Sequence, residues 1–136
     1  MDDILQVKDL RAYFYTAGKE IPAVDGVSFS VRRGETLCVV GESGCGKSAT
    51  SMSVMQLIAV PPGKYVSGEI LFEGQNLLGR SSREMNRIRG KDISMIFQEP
   101  MTALNPVQRI YRQISEAILA HEKVSKTEAK ARSIQL

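Results

Sequence analysis

A glycine-rich run from Gly41 to Ser48 has the residue types and spacing of a phosphate-binding loop. It fits the pattern G-x-x-x-x-G-K-[ST] at every position. Its glycines allow a tight turn that brings backbone N–H groups around phosphate oxygens. Lys47 can offer a positive charge to the outer phosphates, and the hydroxyl of Ser48 can ligate Mg²⁺. The run therefore predicts a site for the phosphates of a nucleotide.

The segments on either side of this loop support that interpretation. Thr36–Val40 is a continuous apolar run with β-branched residues, as expected of a strand covered on both faces. Residues 47 to about 59 suit a helix, which the Pro61-Pro62-Gly63 run ends. The positive end of that helix would point at the anion. This context favours a nucleotide site over a chance glycine-rich turn, but it does not separate a kinase, a GTPase and a transport ATPase.

The remaining elements are predicted from periodicity and from turn and cap residues. Strands are predicted near the N-terminus through Tyr15, at Val27–Val31, and in a hairpin at residues 68–78. A further strand is predicted through Ile93, Met95 and Phe97. Ser-x-x-Glu capping boxes predict helices beginning near residues 81 and 125, and Asn105-Pro106 predicts the start of another, whose apolar positions are Val107, Ile110, Ile114 and Ile118.

Composition limits the classes of protein that the chain can represent. Its 136 residues are enough for one domain with a core, and the net charge of +3 is a mild excess. No basic run with interleaved aromatics indicates a nucleic-acid groove. Cys38 and Cys45 do not form a disulfide framework. We find no secretory signal and no apolar stretch of about 18 residues, and we expect a cytoplasmic chain that reaches a membrane through a partner.

A second group of polar residues follows the predicted strand at residues 93–97. Gln98 ends this strand and could reach Mg²⁺ and an attacking water, although a solvated glutamine in a turn is the better explanation when Gln98 is taken alone. The run that it opens, from Gln98 to Pro106, resembles the ATP-binding subunits of ABC transporters, most closely the oligopeptide, dipeptide and nickel importers. Similar stretches are found elsewhere in the chain, at Ala23–Phe29, Gly34–Leu37, Gly41–Ser48, Val66–Ile70 and Ile96–Arg109.

This resemblance implies a fold. The expected class is α/β, a P-loop NTPase core with an N-terminal antiparallel β-subdomain and the incomplete start of an α-helical subdomain. Residues 1–100 would form the ATP-binding core, and residues 101–136 would begin the helical part.

The resemblance also implies ATP and Mg²⁺ as cofactors and assigns roles to matching residues. Gln98 and Lys47 would be catalytic, and Ser48 and Gln98 would hold the metal. Phe14 would stack on adenine, with Tyr13 and Tyr15 as rivals and strand packing as the alternative for all three. The nucleotide would contact Phe14, Gly41, Glu42, Ser43, Gly44, Cys45, Gly46, Lys47, Ser48 and Ala49.

The resemblance further implies partners and a location. The partners would be a second ATP-binding subunit, identical or different, and transmembrane permease subunits. An extracytoplasmic solute-binding protein would belong to the same assembly, and no nucleic acid would take part. Residues 99–105 would lie beside the groove for a permease coupling helix. The chain would sit at the cytoplasmic face of the plasma membrane, held peripherally by the permease, and would couple ATP binding and hydrolysis to uptake of di- or oligopeptides.

Three of the family's motifs have no counterpart in this sequence. It contains no Leu-Ser-Gly-Gly-Gln-like signature and no apolar strand ending in Asp-Glu after Gln98, and its single histidine, His121, lies in a helical segment. We therefore expect an N-terminal fragment that holds Mg-ATP and hydrolyses it negligibly. Two alternatives stay open: a non-catalytic nucleotide-binding module, and a small P-loop kinase with a lid formed by Arg80, Arg83, Arg87 and Arg89.

Overall fold

The structure is a computed structural model that describes residues 3–99 and 104–136. It consists of two compact units, Met1–Ser81 and Ser82–Leu136. The boundary after residue 100 that the resemblance implies concerns the family's subdomains and stays a prediction. No helix in the described ranges combines the length and apolar character needed to cross a bilayer.

The first unit contains a four-stranded antiparallel sheet. Its strands are β1 (Asp3–Thr16), β2 (Lys19–Arg32), β3 (Gly63–Phe72) and β4 (Gln75–Asn76). Their order across the sheet is β2-β1-β3-β4, so the N-terminal strand is central. The predicted antiparallel subdomain is thus observed.

Local sequence explains these strands. In β2, Val27, Phe29 and Val31 are half-buried, whereas the intervening serines are exposed. This is the period-two pattern of a strand with one covered face. The predicted hairpin of residues 68–78 is confirmed, because Glu73 and Gly74 both adopt positive φ between β3 and β4.

The core of the first unit lies on one face of this sheet. Buried side chains from the strands are Val7, Leu10, Ala12, Val24 and Ile70. The helix α1 (Lys47–Val54) and the residues that follow it add Val54, Met55 and Ile58. The helix is shorter than predicted: Met55 is its C-cap, and Gln56 adopts a φ of 49°.

The predicted strand at Thr36–Val40 is not formed. These residues pair with no strand in the described part of the chain, and Leu37, Val39 and Val40 are 42%, 54% and 83% exposed. A strand requires hydrogen bonds to a neighbour and cover for its apolar faces. The prediction was wrong for this chain because neither is present among the described residues.

The second unit is helical. It contains α2 (Ser82–Ile88), α3 (Ile110–His121) and α4 (Lys126–Gln135). The predicted start of α4 at Ser125 is confirmed, since the Ser125 hydroxyl accepts a hydrogen bond from the N–H of Glu128 at 3.1 Å.

Two predictions in this unit were wrong. The strand through Ile93, Met95 and Phe97 is reduced to one bridge between Arg89 and Ile93, and Ile96 is 95% exposed. Helix α3 begins at Ile110 rather than near Asn105, because the Gln113 side chain bonds both the N–H and the carbonyl of Asn105 and holds a turn there.

Candidate nucleotide-binding site

The loop Gly41–Ser48 enters helix α1 through a left-handed glycine. Gly46 is the N-cap, with φ 94° and ψ 4°. A Cβ at this position would overlap the carbonyl oxygen of Ala23 on β2. Glycine alone avoids both the backbone strain and this collision. The predicted glycine therefore fixes where the loop abuts the sheet.

The backbone of this loop offers hydrogen-bond donors to a ligand. The first helical bond runs from the Thr50 N–H to the Gly46 carbonyl at 2.8 Å. Within the described residues, the N–H groups of Gly46, Lys47 and Ser48 donate to no protein acceptor. The first turn of α1 also has no acidic residue. These free donors at a helix N-terminus fit an anion such as a nucleotide phosphate.

The ammonium group of Lys47 lies over the loop that precedes it. Its Nζ donates to the carbonyl oxygens of Gly41 at 2.7 Å and Glu42 at 2.6 Å, and lies 3.5 Å from the Cys45 sulfur. The structure thus brings four predicted site residues together. A bound phosphate would compete with these carbonyls for the same ammonium.

Ser48 and Ala49 lie in the first turn of α1. The Ser48 side chain is exposed and makes no hydrogen bond to the described residues, so its hydroxyl is available as an oxygen ligand. Ala49 contributes its carbonyl to a hydrogen bond from Ser53 at 2.7 Å. No group of three or more histidine, cysteine, aspartate or glutamate side chains able to hold a metal occurs in the described ranges.

The three candidate aromatics on β1 do not face the same way. Phe14 follows the buried Leu10 and Ala12 at intervals of two residues and is itself half-buried. Its Cε1 lies 3.4 Å from where a Cβ of Gly63 would be. The hydroxyl of Tyr13 donates to Asp25 at 2.8 Å on the opposite face, which raises the pKa of Tyr13.

Tyr15 is also tethered. Its hydroxyl bonds the Glu20 carboxylate, which raises the pKa of Tyr15. Phe14 pairs with Ile21 on β2, the strand whose Ala23 carbonyl abuts the loop. Of the three rings, Phe14 is the wholly apolar one, which favours it for stacking without showing that contact.

Gln98 belongs to the second unit. It lies exposed at a bend that follows the unformed strand. Of the predicted coupling-helix groove, residues 100–103 lie outside the described residues. The roles of Gln98 in catalysis and in metal binding stay predictions.

Sequence reasoning missed a polar network on β1 and β2. Arg11 donates to Asp25 at 3.1 Å and to Asp9 at 2.7 Å, and Asp25 also accepts from Tyr13. The two carboxylates raise the pKa of Arg11. An Asp-Gly pair at residues 25 and 26 was the available signal, but only strand register shows which residues it meets.

The chain is similar to proteins of one known family. The family model for ABC transporters matches residues 24–135. The chain is 53% identical over 133 residues to the oligopeptide transport ATP-binding protein OppD of Bacillus subtilis, covering 98% of this chain and 37% of that protein. It is 50% identical over 130 residues to the dipeptide transport ATP-binding protein DppD of the same organism, covering 96% and 39%.

The fold has solved counterparts. The dimeric structure of MJ0796, a bacterial ABC transporter cassette, aligns with a TM-score of 0.77 at 20% identity, covering 96% of this chain and 54% of that one. This likeness confirms the predicted fold class. The chain spans about two fifths of the length of the curated relatives it matches. With the family model covering most of its residues, the chain belongs to the ABC transporter family.

Proposed function

We propose that this chain provides the Mg-ATP-binding part of an ABC importer for di- or oligopeptides. The observation that supports it most is the loop at Gly41–Ser48, whose left-handed Gly46, free N–H groups and adjacent Lys47 ammonium suit a polyphosphate. The peptide cargo is inferred from the names of the relatives, which are oligopeptide and dipeptide transport proteins.

Each candidate residue has a definite task in this proposal. The loop N–H groups and Lys47 bind the phosphates, Phe14 supports adenine, and Ala49 lies beside the phosphates in the first helical turn. From the resemblance, the Ser48 hydroxyl and the Gln98 amide oxygen would each offer an oxygen to Mg²⁺. When bound, the metal supplies positive charge against the phosphate oxygens.

We further propose that the 136-residue chain binds ATP but does not turn it over. Phosphoryl transfer depends on residues that position the metal, water and leaving group. Lys47 and Gln98 provide part of this arrangement, whereas the signature and Asp-Glu motifs are not in this sequence. As a transporter component, the chain would act with a second ATP-binding subunit, a permease and a solute-binding protein at the cytoplasmic face of the membrane.

The kinase alternative has less structural support. Arg80 bonds the carbonyl of Asn76 at 3.1 Å and the side chain of Gln75, and Arg89 approaches Asn86 at 3.5 Å. Such contacts are those of arginines that stabilise a turn and a short helix.

Titration of ATP by calorimetry, with and without Mg²⁺, tests the proposal. Lys47→Ala should weaken ATP binding by roughly tenfold or more, since it removes a charge-assisted contact of about 1.5–3 kcal/mol. Lys64→Ala, which removes an exposed lysine on β3, is the matched control and should leave the affinity unchanged.

Three outcomes would change the assignment. Equal ATP affinity in wild type and Lys47→Ala would remove the nucleotide site from Gly41–Ser48. Transfer of phosphate to a small acceptor would establish the kinase alternative. Measurable phosphate release by the isolated chain would exclude a non-catalytic module.

A further inference from the structure

Helices α3 and α4 line a cavity that shares no residue with the nucleotide loop. The two helices meet through small side chains: Ser115, Ala129 and Ser133 are buried, and the two serine hydroxyls lie 3.0 Å apart. Beside this contact is a cavity of about 430 Å³. That volume falls within the range of ligand pockets.

The lining of this cavity combines an apolar floor with positive charge. Tyr111 and Leu119 provide the apolar surface on α3. The charged side chains are three cations, Arg112, Lys126 and Lys130, and one carboxylate, Glu116. The cavity therefore carries a net positive charge next to apolar surface.

These cations have no neutralising partner in the described part of the chain. In the described ranges, none of Arg112, Lys126 and Lys130 makes an ion pair within 4.0 Å, whereas Arg132 on the same helix pairs with Glu122 at 2.6 Å. Lys126 and Lys130 are one helical turn apart and repel each other. The ammonium of Lys130 lies 5.1 Å from the Tyr111 ring centre, and both residues line the cavity.

We propose that this cavity binds an acidic helical peptide segment of a partner protein. Carboxylates spaced four residues apart on such a helix would match the spacing of Lys126 and Lys130. An apolar side chain between them would lie against Tyr111 and Leu119. From Tyr111 to Leu119 the floor follows α3 for about 12 Å, or two helical turns, which suits a peptide better than an isolated small anion.

The test uses the full chain and a fluorescent helical peptide of about 16 residues with Glu pairs at i,i+4 and leucines on the same face. Fluorescence anisotropy should show binding that weakens with salt. Lys126→Glu and Lys130→Glu should each weaken it by about threefold or more, as expected for contacts near a protein surface. Glu116→Gln should strengthen it, because it removes the single carboxylate from the lining.

Two controls make the result specific. Lys123→Glu changes the charge equally outside the cavity and should leave binding unchanged, and circular dichroism should show that every variant keeps its helices. A Gln-for-Glu peptide should not bind. Any of four results would overturn the proposal. They are equal weakening by Lys123→Glu, binding of the Gln peptide, displacement of the peptide by inorganic phosphate alone at the same concentration, and no binding of the acidic peptide.

Discussion

At the residue scale, Gly46 and Lys47 set the geometry of the nucleotide loop together. Gly46 turns the backbone where no side chain fits against Ala23, and Lys47 then folds its ammonium over the loop carbonyls. Both features arise from neighbouring residues in the sequence. Their effect on binding and on stability can therefore be tested one residue at a time.

Gly46→Ala should lower the free energy of unfolding more than Gly18→Ala. Gly18 also has positive φ, but open space surrounds it, so an alanine there adds only backbone strain of about 1 kcal/mol. At Gly46 the new methyl group must also displace the Ala23 carbonyl. Urea unfolding of both variants measures the difference, and equal losses would contradict the role given to Ala23.

Phe14→Ala should weaken ATP binding by about 1–3 kcal/mol, the range of base–aromatic stacking. Binding of inorganic tripolyphosphate should not change, because it has no base to stack. Tyr13→Phe is the matched control and should leave ATP affinity intact. If Phe14→Ala weakened the binding of ATP and of tripolyphosphate equally, Phe14 would act only through packing against the region of Gly63.

At the element scale, the chain separates elements that complete themselves from those that need distant partners. The β1–β2 hairpin and the α3–α4 pair form because their partners are near in sequence. Thr36–Val40 and the residues around Ile96 have equally good strand patterns but no strand beside them in the described residues. Hydrophobic pattern alone does not make a strand.

The ion pair between Glu122 and Arg132 should make the stability of the α3–α4 pair sensitive to acid. Glu122 accepts hydrogen bonds from Arg132 at 2.6 and 3.0 Å, which lowers the pKa of Glu122. A lowered folded-state pKa stabilises the fold above the unfolded pKa, and that gain is lost as the pH falls through the folded value.

Glu122→Gln should therefore reduce helicity at neutral pH. It should also make the loss of helicity smaller as the pH falls from the ordinary carboxyl range to lower values. Circular dichroism against pH measures this. Glu116→Gln, at a carboxylate without an ion pair in the described part of the chain, should keep the wild-type profile. Identical acid profiles for wild type and Glu122→Gln would show that the ion pair adds no stability.

At the scale of the whole molecule, stability should be uneven. The central strand β1 is hydrogen-bonded on both sides, to β2 and β3. Residues 36–40 and 94–98 lie in no helix or strand. The chain also covers only about two fifths of its relatives' length, so these relatives contain residues with no counterpart here.

Amide hydrogen exchange measured by mass spectrometry should show this distribution. We expect the slowest exchange in β1 between Leu5 and Phe14 and fast exchange at Thr36–Val40, because backbone groups exposed to water exchange without unfolding. Slow exchange at Thr36–Val40 would mean that this segment has found a strand partner.

Features that depend on local chemistry could be predicted from the amino-acid sequence. Four features follow from residues that are close together in the sequence. They are the phosphate loop, the hairpin turn at Glu73-Gly74, the alternating pattern of β2 and the Ser125 cap. The resemblance to ABC transporter subunits rested on the loop and on the run from Gln98, and the family is confirmed.

Long-range packing determines which of the predicted elements form in this chain and what their side chains contact. It left Thr36–Val40 without a strand partner among the described residues, ended α1 at Val54, and brought the Tyr13 hydroxyl to Asp25. It also placed three cations, which have no ion pair among the described residues, around one cavity between α3 and α4. These outcomes depend on groups far apart in sequence, whose meeting is set by strand register and helix packing rather than by local preference.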